Sequence, residues 1–210
     1  MPANFHTIDH PLIKHKLVYI RDKGTSSKIF RELVREISAI LAYEATKNLP
    51  TKSVKITTPL TKTTGHKIDM EKIVIVPVLR AGLGMTEGVL SLLPGAKVGH
   101  IGMERDHDTF LPTDYYFKIP SRPKDKSFLV LDPMLATGGT VIDTIHRLKD
   151  SGALDIRFLC LIASPEGVKA LNEAHPDVII FTGVVDEKLN SKKYIVPGLG
   201  DAGDRLFGTE

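Results

Sequence analysis

Residues 130–140 read VLDPMLATGGT, and the fold turns on how this stretch is understood. An apolar strand runs into an acid, Asp132, and Pro133, Met134 and Leu135 lead on to Ala136, Thr137, Gly138, Gly139 and Thr140. One reading is plain: a strand ends and the glycines permit a turn. The other is a phosphate site. In an α/β sheet, ligands bind beyond the carboxyl ends of strands, where helices begin. Consecutive N–H groups at Ala136–Thr140, with the positive end of a following helix, suit an anion. Both threonine hydroxyls can donate as well. Asp132 would repel a phosphate in contact, but it would accept hydrogen bonds from vicinal sugar hydroxyls. A phosphate beside a ribose satisfies the whole stretch. The loop is neither a Gly-Lys-Ser/Thr phosphate loop nor a Gly-x-Gly-x-x-Gly turn.

Working outward, SFLVLD (127–132), KIVIVPVL (72–79), IRFLCLIAS (156–164) and DVIIFTGV (177–184) read as buried strands. Helical spacing with a serine cap predicts a helix over 26–48, apolar at Ile29, Phe30, Leu33, Val34, Ile37, Ile40 and Leu41. Further helices are expected within 81–95, 138–152 and 165–175. AKVGHIGM (96–103) reads as one strand and SVKITTPLT (53–61) as another. ERDHDTFLPTD (104–114) reads as a lid loop, with YYFKIP (115–120) as the returning strand of a hairpin. Strands alternating with helices predict a largely parallel, doubly wound α/β sheet. No repeat or linker divides the chain, so one domain over 1–210 is expected. Its core would span about 68–184, and a hood would come from the N-terminal segment and 185–210.

Composition sets the limits. The chain has 210 residues, 42% hydrophobic and 25% charged, with a formal net charge of +3. That balance suits an anionic ligand but does not by itself imply nucleic acid. The single cysteine, Cys160, lies in an apolar run and reads as a buried thiol in a reducing compartment. No stretch approaches the ~18 apolar residues of a spanning helix. The opening residues lack an apolar run of signal-peptide length, so a cytoplasmic location is expected. The eight histidines show no metal-ligand spacing, and His10 and His15 read as structural or surface groups.

Two arginines and the tail complete the candidates. Arg80, in VPVLRAGLGM (76–85), follows a buried strand and would point into the crevice of the phosphate loop. Its planar fork suits a pair of phosphate oxygens. Arg105 lies at the base of the lid loop. The tail YIVPGLGDAGDRLFGT (194–209) is glycine-rich yet carries more apolar residues than a disordered tail would.

The 130–140 stretch resembles the 5-phosphoribosyl 1-pyrophosphate (PRPP) signature of type I phosphoribosyltransferases. Pro133 stands where most of that family carries a second acid, and in this the chain is similar to the uracil-specific branch. VPVLRAGLGM, the Gly-Met-x-Arg at 102–105, HPLIKHKL, SPEGVKALNEAHPDV and the 194–209 tail also resemble uracil phosphoribosyltransferases, over nearly the full length. The resemblance implies a type I phosphoribosyltransferase fold making UMP and diphosphate from uracil and PRPP, in pyrimidine salvage. It implies that Arg80 and Arg105 bind the pyrophosphate, Asp132 the ribose hydroxyls, and Pro133–Thr140 the 5-phosphate side. Asp201 would meet the PRPP side of the site, and Ile195, Gly200, Asp201 and Ala202 would bind uracil. Mg2+ is implied as a cofactor carried by PRPP rather than by protein ligands. GTP activation and a homodimer or larger assembly are expectations of the resemblance alone. The rival reading is a pyrimidine-sensing regulator that keeps this fold and binds RNA; a net charge of +3 argues against it.

Overall fold

The apolar runs become strands because each residue in them has a buried face to fill on one side of the sheet or the other. The fold is seen in a computed structural model that describes residues 2–105 and 112–209, without the side chains of 103–105 and 112–115. The chain opens with β1 (Phe5–Thr7), α1 (Pro11–Arg21) and α2 (Ser27–Ala45), followed by a hairpin of β2 (Thr51–Thr57) and β3 (Lys62–Ile68). Next come β4 (Ile73–Pro77), α3 (Leu83–Leu92), β5 (Lys97–Val98) and a second hairpin, β6 (His100–Arg105) with β7 (Pro112–Lys118). β8 (Ser127–Leu131), β9 (Met134–Leu135), α4 (Gly139–Asp150), β10 (Asp155–Ala163), α5 (Pro165–Ala174) and β11 (Ile179–Val185) continue the alternation. The tail holds β12 (Lys188–Leu189), β13 (Ile195–Val196) and α6 (Ala202–Phe207).

The central sheet runs β1-β11-β10-β8-β4-β5, all parallel, with β9 beside the end of β10. Its two faces divide by the period of two. Ile73, Ile75, Leu129, Leu131, Leu159 and Leu161 join a core with α1, α2, α3 and α6. Val74, Val76, Phe128, Val130, Phe158 and Cys160 join a second core with α4 and α5. The expected parallel, helix-flanked sheet is what the chain forms. Cys160 is fully buried, and burial pushes its thiol up to about 12.

Four details differ from the sequence reading. Residues 96–103 do not make one strand: β5 pairs with β4, and β6 leaves the sheet to pair with β7. Gly99 lies between them, and a Cβ there would come within 3.1 Å of Ile119 and 3.3 Å of a backbone carbonyl. The predicted loop 104–114 is partly strand, since Glu104 and Arg105 pair with Thr113 and Pro112; what lies between, 106–111, is outside the described residues. The hairpin partner β3 was not foreseen, because its exposed Lys-Thr-rich sequence has no apolar alternation. Nor were β1 and α1. The helix starts on Pro11 with His10 as its cap, Nδ1 accepting the Leu12 N–H at 3.1 Å, and it buries Ile13, Leu17 and Ile20.

Candidate active site

The loop after β8 is stitched to the sheet before it reaches its glycines. Asp132 N–H donates to the Leu159 carbonyl, and its Oδ1 accepts the Met134 N–H at 3.2 Å. Met134 and Leu135 then pair with Ile162 and Ala163 as a two-residue strand. Pro133 and Leu135 are buried, and their carbonyls are taken by N–H groups of Leu161, Ile162 and Ser164. Beyond them Gly138 takes φ +84, a left-handed turn that glycine adopts without strain, and α4 begins. The first N–H groups of α4 have no intrahelical partner and lie at the carboxyl edge of the sheet, with Thr137 and Thr140 exposed beside them.

The back of this loop rests on α5. Buried Ser164 donates its hydroxyl to the Ala136 carbonyl at 2.6 Å and accepts the Gly167 N–H at 2.9 Å. A Cβ at Gly167 would stand 2.3 Å from the same Ala136 carbonyl. Neither residue was singled out from the sequence, although Ser164 before Pro165 carries an ordinary helix-start signal.

Arg80 follows β4, whose end lies beside the end of β8 that carries Asp132. Val78 N–H donates to the Leu131 carbonyl at 2.8 Å, and Gly82 N–H closes the turn onto the Val78 carbonyl at 2.9 Å. A Cβ on Gly82 would lie 2.3 Å from the Leu131 carbonyl, so this turn cannot take a larger residue without shifting. The Arg80 side chain is 64% exposed; its Nη2 stands 4.0 Å from Asp204 Oδ1. Its guanidinium lies 5.9 Å from the centre of the Phe207 ring. An exposed pair at that distance holds little energy, which leaves the cation available to a ligand. Arg105 ends β6, paired through its backbone with Pro112; its side chain lies outside the described residues.

The tail closes over this edge. After β13 the chain turns through a cis Val196–Pro197 bond, and Gly198 and Gly200 take φ +64 and +81. Asp201 caps α6, accepting the Asp204 N–H at 3.0 Å. A crevice of about 320 Å³ joins the two regions: Met134 and Ala136 line one wall, and Gly200 and Asp201 the other. Tyr194, the first residue of the tail singled out in the sequence, lines it too, as do Lys192 and Lys193, which the sequence reading missed. Ile195 and Ala202 of the same tail are buried and do not line the crevice. Among the described residues, three larger cavities, of about 490–500 Å³, hold none of the candidate groups.

The Asp132 carboxyl is pushed up to about 7: burial raises it most, the Met134 N–H works against this by favouring the ionised form, and the negative charge of Asp201 adds a smaller rise. Among the described residues, no group of three or more His, Cys, Asp or Glu side chains is placed to hold a metal ion. No described helix is long and apolar enough to cross a membrane.

Comparisons with known proteins agree with one another. A family model described as uracil phosphoribosyltransferase matches residues 7–209. A uracil phosphoribosyltransferase of Macrococcus caseolyticus is 56% identical over 208 residues, which is 99% of this chain and 100% of the relative. That of Listeria innocua is 55% identical over the same span. Among solved structures, the AQ2163 protein of Aquifex aeolicus is 40% identical, with a TM-score of 0.91 over 98% of this chain and 99% of that one. The adenine phosphoribosyl transferase of Trypanosoma brucei, solved with AMP, pyrophosphate and ribose-5-phosphate, shares the fold alone. It is 15% identical, with a TM-score of 0.60 over 88% of this chain and 84% of that one.

Proposed function

We infer the chemistry of this site from one premise: the chain belongs to the uracil phosphoribosyltransferase family. It is a pentosyltransferase of pyrimidine salvage, joining uracil to the 5-phosphoribosyl group of PRPP to give UMP and diphosphate. Uracil N1 forms a bond to the anomeric carbon, the bond from that carbon to the diphosphate oxygen breaks, and diphosphate leaves with the electron pair. The N1 proton is released. Negative charge grows on the leaving group as the ribose gains oxocarbenium character, so fixed cations at the diphosphate are the main aid to catalysis.

The residues divide this work between the two walls of the crevice. Ala136–Thr140 hold the 5-phosphate on N–H groups and threonine hydroxyls. Asp132 accepts the ribose hydroxyls, and Arg80 and Arg105 hold the diphosphate. The tail residues Ile195, Gly200 and Ala202 read the acceptor-donor-acceptor edge of uracil with backbone groups; cytosine would set an amino donor against an N–H. The observation that carries this reading is the crevice itself, where Met134 and Ala136 of the phosphate loop face Gly200 and Asp201 of the tail.

Mg2+ carried by PRPP fits this crevice. Asp201 lines it and offers a hard carboxylate oxygen, and the oxygens of PRPP and water would supply the rest of the ion's shell. Bound there, the ion would neutralise diphosphate charge. A homodimer or larger assembly, activation by GTP and a cytoplasmic location complete the reading; all three rest on the family.

The test is UMP formation by purified protein with PRPP and Mg2+, offering uracil, cytosine, hypoxanthine and adenine separately. Turnover on uracil alone supports the reading. Turnover on another base keeps the phosphate loop and sinks the tail assignment, and RNA binding without turnover favours a regulator.

A further inference from the structure

We propose that the Arg21–Asp186 ion pair is a positioning device for the base pocket, fixing Gly198 and through it the tail backbone that faces the base. Arg21 is the last residue of α1 and Asp186 follows β11, 165 positions away. Arg21 forks onto the carboxylate, Nη1 to Oδ2 at 2.8 Å and Nη2 to Oδ1 at 2.5 Å. The same Nη1 donates to the Gly198 carbonyl at 2.8 Å, and Gly198 N–H donates to Asp186 Oδ2 at 2.9 Å. Both backbone groups of Gly198 are therefore held by one side-chain pair. The Asp186 side chain is 3% exposed and that of Arg21 24%, so water competes weakly for these bonds.

Gly198 is where such a hold matters. At φ +64 it turns the chain so tightly that a Cβ would stand 2.1 Å from the Ile195 carbonyl. Asp186 is itself anchored, its N–H donating to the Ala163 carbonyl at 2.8 Å. Ala163 also pairs with Leu135 of the phosphate loop. The last residue of β10 thus ties the phosphate wall to the base wall through Asp186. From the other side, the Arg205 guanidinium donates to the Leu199 carbonyl at 2.9 Å and the Asp22 carbonyl at 2.6 Å, and to the Ile20 carbonyl. A rigid frame from α1 and the sheet edge thereby sets the pitch of 195–200. A bidentate arginine fork supplies geometry that a single-point cation cannot.

The proposal rests on the reading that 195–202 bind the base, and the experiment separates the two. Steady-state kinetics would be measured for Arg21→Lys, Arg21→Gln, Asp186→Asn and Gly200→Ala, with thermal unfolding of each. Arg21→Lys keeps the charge and avoids stranding a buried carboxylate, so it should fold. It should raise KM for uracil about five- to tenfold. KM for PRPP should stay within about twofold. Arg21→Gln and Asp186→Asn should raise KM for uracil further, in graded order with the hydrogen bonds lost. Gly200→Ala should raise KM for uracil whatever the role of Arg21. If Gly200→Ala does so while Arg21→Lys moves both KM values equally, or only the unfolding temperature, the positioning role is wrong and the base pocket stands. If Gly200→Ala leaves KM for uracil unchanged, the base-pocket reading fails and takes this proposal with it.

Discussion

The two walls of the crevice are built by different means. The phosphate wall, 132–140, is held by backbone: Met134 and Leu135 join the sheet beside β10, and Ser164 and Gly167 press on the Ala136 carbonyl. The base wall, 195–202, is held mainly by charged side chains that arrive from α1, the end of β11 and α6. The first kind of wall is bound into the sheet and the start of α5, so only substitutions at those contacts reach it. The second is adjustable, since each clamp can be altered without touching the sheet. An enzyme that must accept one sugar phosphate and choose among bases gains from having its rigid part at the phosphate and its adjustable part at the base.

The largest effect should come from the chemistry that the two walls share. Arg80→Ala should lower kcat by about two to three orders of magnitude, the scale of removing one preorganised charge at a developing anion. The KM for uracil should change little. A loss confined to KM would mean that Arg80 binds the diphosphate in the ground state only.

Gly167→Ala comes next. Its methyl would meet the Ala136 carbonyl at 2.3 Å, so the phosphate loop must move. KM for PRPP should rise at least about tenfold with KM for uracil nearly constant, the mirror image of the Arg21 variants. Equal changes in both would show that the walls are not independent. Ser164→Ala should do the same more mildly, with a loss of about 1 kcal/mol in stability from the missing helix cap, read by denaturant unfolding.

The smallest effect concerns pH. The Asp132 carboxyl is raised to about 7, so in the folded protein it keeps its proton between the ordinary carboxylate range and pH 7. The unfolded chain has already lost that proton. Stability therefore falls as pH rises through this interval, and Asp132→Asn removes the loss. Without PRPP, the unfolding temperature of the variant relative to the parent should climb by a few degrees from pH 5 to pH 8. A constant difference would show that the carboxyl is not raised.

These contrasts explain what could be seen in the residues beforehand. The phosphate wall and the strands β4, β8, β10 and β11 were legible because burial on both faces writes an unbroken apolar run, and a loop made of backbone writes glycines. Ile73–Val76 and Phe128–Leu131 carry that signature without ambiguity. β1 was hidden, since Phe5–Thr7 is three half-exposed or exposed residues recruited by pairing with Ile180–Thr182. The β2–β3 hairpin was half hidden because its stability comes from ladder pairing rather than from an apolar face. The clamps on the base wall left no local trace: nothing near Arg21 says that it meets Asp186, and Arg205 reads as one more cation in a short tail. Lys192 and Lys193 left no signal because they precede the glycine-rich tail and read as two more surface cations.

The two walls should hold one nucleotide between them. A crystal structure with UMP bound tests it most directly. The phosphate should lie on the N–H groups of 136–140, the ribose hydroxyls against Asp132, and the uracil edge along the backbone of 195–202. UMP seated with its base away from Gly200 and Ala202, or its phosphate away from Thr137 and Thr140, would contradict it.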